Sequence, residues 1–138
     1  MRMPIWLVFA VATSGLLAAC ATGPTQGSTT IITQIDFTTQ PFKGTFKVTE
    51  GADVLGCSSG TFVDTPTDSG VHKKFTCESG TRMGTFTAEF FPPGGPWKIV
   101  NGMGGFSGLS GWGAVALTSR AGEITGVETF IGEVQSGR

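Results

Sequence analysis

Short stretches of alternating apolar and polar residues, separated by closely spaced turn residues, constrain the fold of this chain more than any other feature. No stretch after residue 20 shows the 3.6-residue apolar period of an amphipathic helix. The alternation predicts strands, whose successive side chains point to opposite faces of a sheet. Many short strands without helices are typical of an all-β sandwich or an up-and-down barrel. The predicted strands are residues 31–38, 43–49, 53–57, 60–64, 71–77, 84–91, 97–101, 112–118 and 123–134.

The first twenty residues have the pattern of a lipoprotein signal peptide. Arg2 is followed by an apolar run, residues 5–17, which as a helix would span roughly 20 Å, short of the ~30 Å hydrocarbon core of a bilayer. Small residues then precede Cys20, which is predicted to carry the lipid and to become the first mature residue. The alternatives are an ordinary secretory signal with a chance cysteine, and an uncleaved anchor helix.

This pattern resembles bacterial lipoproteins, and the resemblance implies diacylglycerol on the Cys20 sulfur and an acyl group on its amine. Two or more chains give stable membrane anchoring without a spanning segment. Ala21 follows the cysteine, which implies sorting to the outer membrane if the cell is Gram-negative. We therefore expect a protein of the bacterial cell envelope, with a signal peptide at 1–19, the lipidated Cys20 and a flexible tether at 20–30, and a β-domain at 31–138.

The alternation also predicts the core. Phe86, Ala88 and Phe90 share one strand face, and Glu89 lies on the opposite face. The chain has eleven phenylalanines, which favours a compact domain over disorder. The last two predicted strands are apolar on both faces, so the tether, a partner chain or a membrane surface is expected to cover them. Other inward residues are predicted to be Phe46, Val48, Val71, Phe75, Cys77, Trp97 and Ile99.

Cys57 and Cys77 are predicted to form a disulfide, because an even pair of cysteines in an exported chain is most simply a bridge. A thiol redox pair or half of a metal site fits less well, since the chain has no Cys-x-x-Cys and a single histidine. Both cysteines begin the sequence Cys-x-Ser-Gly-Thr, in which Ser-Gly is a turn signal. The bridge is expected to join two neighbouring hairpins.

Glycines crowd residues 101–113, but this run does not have the features of a phosphate-binding loop. It lacks the P-loop lysine, and a strand rather than a helix is predicted after it. A tight barrel corner, where backbones approach closely and φ is positive, is the better interpretation. The glycines are Gly102, Gly104, Gly105, Gly108, Gly111 and Gly113.

Residues 97–113, which read WKIVNGMGGFSGLSGWG, resemble a stretch of small bacterial barrels related to allene oxide cyclase and dirigent proteins. In those barrels a tryptophan strand precedes a glycine-rich loop with an aromatic residue, and residues 129–132 resemble their closing strand. Met103 stands where Thr or Ser is more usual. The resemblance implies an eight-stranded antiparallel barrel with an apolar interior, and it permits an oligomer such as a trimer. No functional residue of the plant enzymes matches a position here one to one.

Charged residues are few and balanced, with nine Lys and Arg against ten Asp and Glu. Lys73 and Lys74 form the only adjacent basic pair, so nucleic-acid binding is not expected. His72 is predicted to be a solvated group on a polar strand face. No calcium-loop or other ligand spacing is present, and we expect no metal or cofactor. The aspartates near predicted turns, where Asp commonly caps the backbone, are Asp36, Asp53, Asp64 and Asp68.

These observations favour a non-enzymatic envelope lipoprotein that binds a small apolar molecule, a lipid or a protein partner. The alternatives are a cyclase or isomerase acting on an apolar substrate inside the barrel, and a purely structural envelope protein. An eight-stranded barrel is just wide enough to be filled by side chains or to hold one small ligand. The predicted cavity-lining residues are Trp97, Phe106, Trp112, Phe86 and Phe90.

Overall fold

The computed structural model describes residues 25–119 and 122–137, which form a closed antiparallel barrel of eight strands. Each strand pairs with the next one in the chain, and β8 pairs with β1 to close the ladder. The barrel, rather than the sandwich, is therefore the architecture. Its strands are β1 (Gln26–Asp36), β2 (Lys43–Glu50), β3 (Ser59–Thr67), β4 (Gly70–Ser79), β5 (Gly84–Phe90), β6 (Gly94–Gly104), β7 (Ser110–Thr118) and β8 (Thr125–Gln135).

Several strand ends shift by a few residues from the prediction, as in β6, which was predicted at 97–101, and two differences are larger. β1 begins at Gln26, so residues 26–30, expected in the tether, belong to the barrel. Their backbone groups pair with β8 from Gln26↔Gln135 onward, and this ladder does not need apolar side chains. Residues 53–57 do not form a strand: they overlap a four-residue helix, α1 (Ala52–Leu55), with glycines of positive φ on both sides. The predicted signal peptide and Cys20 lie outside the described residues.

The interior is filled mainly by phenylalanine. Phe75 lies among four other rings, with centroid distances of 5.0 Å to Phe46, 4.8 Å to Phe86, 5.9 Å to Phe130 and 6.3 Å to Phe62. All five side chains are almost completely buried. This packing agrees with the alternation read from the sequence, and it leaves the middle of the barrel without room for a ligand.

The two ends of the barrel differ. The connections after β2, β4 and β6, the start of β1 and the end of β8 all lie at one end, because neighbouring strands are antiparallel. We call it the disulfide end, because the predicted Cys57–Cys77 bond is present and lies there. Fully buried Leu55 of α1 and Phe106 of the glycine run help to close it. Gly104 and Gly108 flank Phe106 with φ of 65° and 78°, which confirms the expected tight corner.

The opposite end, which we call the cavity end, carries the connections after β1, β3, β5 and β7. The complete ladder and the core lie within the described residues, so this part of the chain carries the closed sheet and the core that a domain needs to fold on its own. No helix in the described ranges is long and apolar enough to cross a bilayer.

Candidate functional site

The cavity end contains an apolar cavity of about 350 Å³, which we call the end cavity. Phe37 and Phe42 of the β1–β2 connection contact each other edge to face, with centroids 5.2 Å apart, and both line it. Ligand cavities in proteins commonly begin at about 300 Å³ and have apolar walls with few polar groups. The remaining lining residues are Ile35, Gln40, Pro41, Asp64, Pro66, Val71, Pro92, Leu117 and Glu128.

Hydrogen bonds hold the β1–β2 connection in place over the cavity. The Asp36 carboxylate accepts hydrogen bonds from the Thr38 backbone amide at 2.8 Å and from the Thr38 hydroxyl at 2.5 Å. These bonds lower the pKa of Asp36. The Phe42 carbonyl accepts a 2.8 Å bond from the Asp64 amide, which ties the connection to β3. On β8, Gly126 leaves room for Phe37, since a Cβ there would lie 2.8 Å from the phenyl ring.

Three charged side chains, which we call the charge cluster, are buried at the cavity end. Lys73 is 0% exposed, and its Nζ lies 2.7 Å from Asp64 Oδ1 and 2.9 Å from Glu128 Oε1. Nζ also lies 3.4 Å from the centroid of the Phe62 ring, a cation–π contact. The Thr33 hydroxyl donates a 3.2 Å hydrogen bond to Glu128 Oε1. Asp64 and Glu128 also line the end cavity.

Lys73 Nζ and Asp64 Oδ1 form a buried ion pair. The second carboxyl oxygens of Asp64 and Glu128 make no hydrogen bond within the described part of the chain. The cluster therefore retains acceptor capacity at the cavity.

Burial raises the pKa of both carboxyl groups above the ordinary value, and Lys73 opposes the rise only in part. The neighbouring Asp64 carboxylate raises the pKa of Glu128 further. Two acids share one ammonium in a poorly solvated place, so a proton on one carboxyl makes the cluster neutral. The arrangement can accept hydrogen bonds, bind a cation or exchange a proton with a ligand.

This cluster was not predicted from the sequence, where Lys73 was considered only as part of a basic pair with Lys74 and Asp64 as a residue near a turn. Strand alternation places Lys73 between Val71 and Phe75 on the inner face of β4, and this signal was present in the sequence. Glu128 likewise alternates with Phe130 on β8. An inward charge needs a partner inside the barrel. Asp64 lies opposite Lys73 in the β3–β4 hairpin, whereas Glu128 comes from β8, which is distant in sequence.

The five residues predicted to line a cavity do not line the end cavity. Phe86 and Phe106 are packed in the core, while Phe90 and Trp97 border a separate depression of about 310 Å³ near the β5–β6 connection. The prediction for Trp112 is wrong. Its side chain lies on the outer face of β7 and is 51% exposed, because inward positions alternate with it at Gly111 and Gly113.

Glu89 lies on the outer face of β5, as predicted. It pairs with His72, whose Nε2 is 2.7 Å from Glu89 Oε2, and this contact lowers the pKa of Glu89. His72 is thus partnered on the barrel surface rather than fully solvated.

Among the residues described, no three His, Cys, Asp or Glu side chains are placed to hold a metal ion.

Stability is expected to fall as the pH rises from about 4, the ordinary carboxyl pKa, through the raised folded-state values of Asp64 and Glu128. A carboxyl with a raised pKa stabilises the fold fully below its ordinary pKa and loses that contribution as the pH passes its folded-state pKa, and both Asp64 and Glu128 behave this way. Lys73 and the Thr33 hydroxyl are the groups in contact with them. Thermal melting between these pH values is the measurement. The double variant Asp64→Asn, Glu128→Gln should have a flatter profile, and an equal slope in both proteins contradicts the assignment.

The fold and cavity define a small closed β-barrel with an apolar cavity and a buried charge cluster at one end. The sequence matches no protein-family profile, and no curated protein is significantly similar to it. The eight-stranded barrel is confirmed by the structure, while the resemblance to allene oxide cyclase and dirigent barrels stays a prediction.

Proposed function

We propose that this protein binds a small, mainly apolar molecule in the end cavity. The observation that supports this most is the cavity of about 350 Å³, with walls of Phe, Pro, Ile, Val and Leu and two buried carboxyls among its lining groups. The middle of the barrel is packed with phenylalanine, whereas the end cavity has room for a small molecule. Apolar walls supply affinity, and a few polar groups orient the ligand.

A tryptophan in place of Leu117 should fill the cavity and weaken binding of 1-octanol at least tenfold. Leu117 lines the cavity, whereas Ala116 beside it is exposed on the outer face of β7. Ala116→Trp is therefore the matched control and should bind like the parent. Titration calorimetry on residues 21–138 measures both, and mass spectrometry of molecules that co-purify from bacteria identifies natural ligands. A parent protein that binds no 1-octanol and carries no ligand contradicts the proposal.

A second candidate is an enzyme that moves a proton on an apolar carbonyl compound, as a cyclase or isomerase does. Buried carboxyls of raised pKa support it, since a raised pKa makes a carboxylate a stronger base. The carboxylate would remove a proton from the carbon next to the carbonyl group, and the resulting acid would return one. With 2-octanone in D₂O, NMR should show faster deuterium uptake with the parent than with Glu128→Gln. Equal rates exclude this candidate for that ketone.

We also propose that lipid on Cys20 anchors the barrel in the bacterial envelope. Cys20 lies six positions before the first residue of β1, and these positions extend at most roughly 20 Å. β1 begins at the disulfide end, so a lipid anchor would hold that end toward the membrane. The end cavity would then face away from the bilayer, toward soluble molecules or a partner protein.

Cys20→Ser should abolish incorporation of radiolabelled palmitate and move the protein from the detergent phase to the aqueous phase in Triton X-114 partitioning. The sulfur is the attachment atom, and serine lacks it. Ala21→Ser changes the next residue and should leave both readouts unchanged. Normal palmitate labelling of Cys20→Ser contradicts the anchoring proposal without affecting the proposal for the end cavity.

A further inference from the structure

We infer that the end cavity selects a monocationic ligand: an apolar chain or ring that carries one protonated amine. The inference rests on the proposed binding function and names its ligand class. Three features carry it, namely the kind of polar atom that reaches the cavity, the charge balance of the cluster, and the apolar character of the remaining walls.

The charged groups that reach the cavity are hydrogen-bond acceptors when ionised. Asp64 and Glu128 line it, but Lys73 does not and is 0% exposed. The two carboxyls and the Phe62 ring surround the Lys73 ammonium. An anionic ligand thus meets carboxylates before it can meet the lysine. The amide of Gln40 is the remaining polar side chain among the lining residues.

The charge balance favours a cation. Asp64, Glu128 and Lys73 carry a net charge of −1 when all three are ionised, and no other ion pair to these side chains is present in the described residues. A ligand ammonium supplies the missing positive charge, and the second carboxyl oxygens have no hydrogen bond to lose. Charge-assisted hydrogen bonds of this kind are about twice as strong as neutral ones.

The apolar walls of the end cavity determine which kind of group the ligand ammonium should carry. Phe37, Phe42 and Leu117 offer apolar surface, and the cavity of about 350 Å³ suits a molecule the size of octylamine. A small hydrophilic amine gains nothing from this surface. The ligand class is therefore an amphiphilic amine rather than a metal ion or a polyamine.

The test compares octylammonium, 1-octanol and octanoate, which share one chain and differ in head group. Titration calorimetry on residues 21–138 at pH 7.5 keeps the amine protonated, because alkyl ammonium groups titrate near pH 10. Octylammonium should bind at least about tenfold more tightly than 1-octanol, and octanoate more weakly than both. Glu128→Gln and, separately, Asp64→Asn should reduce this preference to below about threefold. Glu89→Gln, on the outer face, should keep it.

Each outcome decides between the two proposals. If 1-octanol binds and octylammonium is no better, the charge inference fails while the binding function stands. Octanoate as the tightest ligand also overturns it, since Lys73 would then be the anchor. No binding of any of the three contradicts the proposed function itself. A preference retained in both carboxyl variants shows that the ammonium binds elsewhere and overturns the assignment.

Discussion

Replacement of Lys73 by methionine is expected to lower the free energy of unfolding by roughly 3–5 kcal/mol at neutral pH. Methionine fits the apolar stem of lysine, but it leaves Asp64 and Glu128 buried without a positive partner. Removal of one partner of a buried ion pair is costly because the remaining charge is neither solvated nor compensated. Urea denaturation followed by circular dichroism measures the loss.

Lys74→Met is the matched control, since Lys74 follows directly on β4 and points to solvent. Its effect should stay within about 0.5 kcal/mol. A triple variant, Lys73→Met with Asp64→Asn and Glu128→Gln, removes the uncompensated charges and should recover part of the loss. If Lys73→Met alone lowers the free energy of unfolding by less than about 1 kcal/mol, the predicted penalty is contradicted, and the two carboxyls take up protons at little cost.

Replacement of both Cys57 and Cys77 by alanine is expected to lower the free energy of unfolding by about 3 kcal/mol. The bond closes a loop of sequence separation 20, which restricts the unfolded chain, and both cysteines are buried. Alanine avoids placing a hydroxyl group in this apolar surrounding. Urea denaturation with and without dithiothreitol gives the value.

The reducing agent should destabilise the parent by a similar amount and leave the double variant unchanged. Binding of 1-octanol should persist in the folded double variant, because the bond lies at the end of the barrel opposite the end cavity. A parent that is insensitive to dithiothreitol while it unfolds reversibly would show that the bond contributes nothing to stability.

The strands and most inward residues could be read from local pattern. Phe46, Phe86 and Phe90 alternate with polar residues and are buried as expected, and the cysteine pair follows from composition. The prediction was wrong where strand pairing or backbone conformation, rather than the alternation of side chains, decides the local structure. Residues 26–30 have little apolar character, yet they form strand because β8 supplies their hydrogen-bond partners. Residues 53–57 looked like a strand, but glycines at 51 and 56 bound a single helical turn.

The sequence by itself determined an all-β domain, the composition of its core and the disulfide, because these depend on side-chain alternation and on which cysteines exist. The closed eight-stranded barrel, which the resemblance implied, is confirmed by the strand pairing, whereas the tertiary structure alone decided the site. Asp64 lies opposite Lys73 in the β3–β4 hairpin, whereas Glu128 reaches the pair from β8 because β8 pairs with β1 and closes the sheet. Residues far apart in the chain become neighbours only through strand register, which no local pattern records.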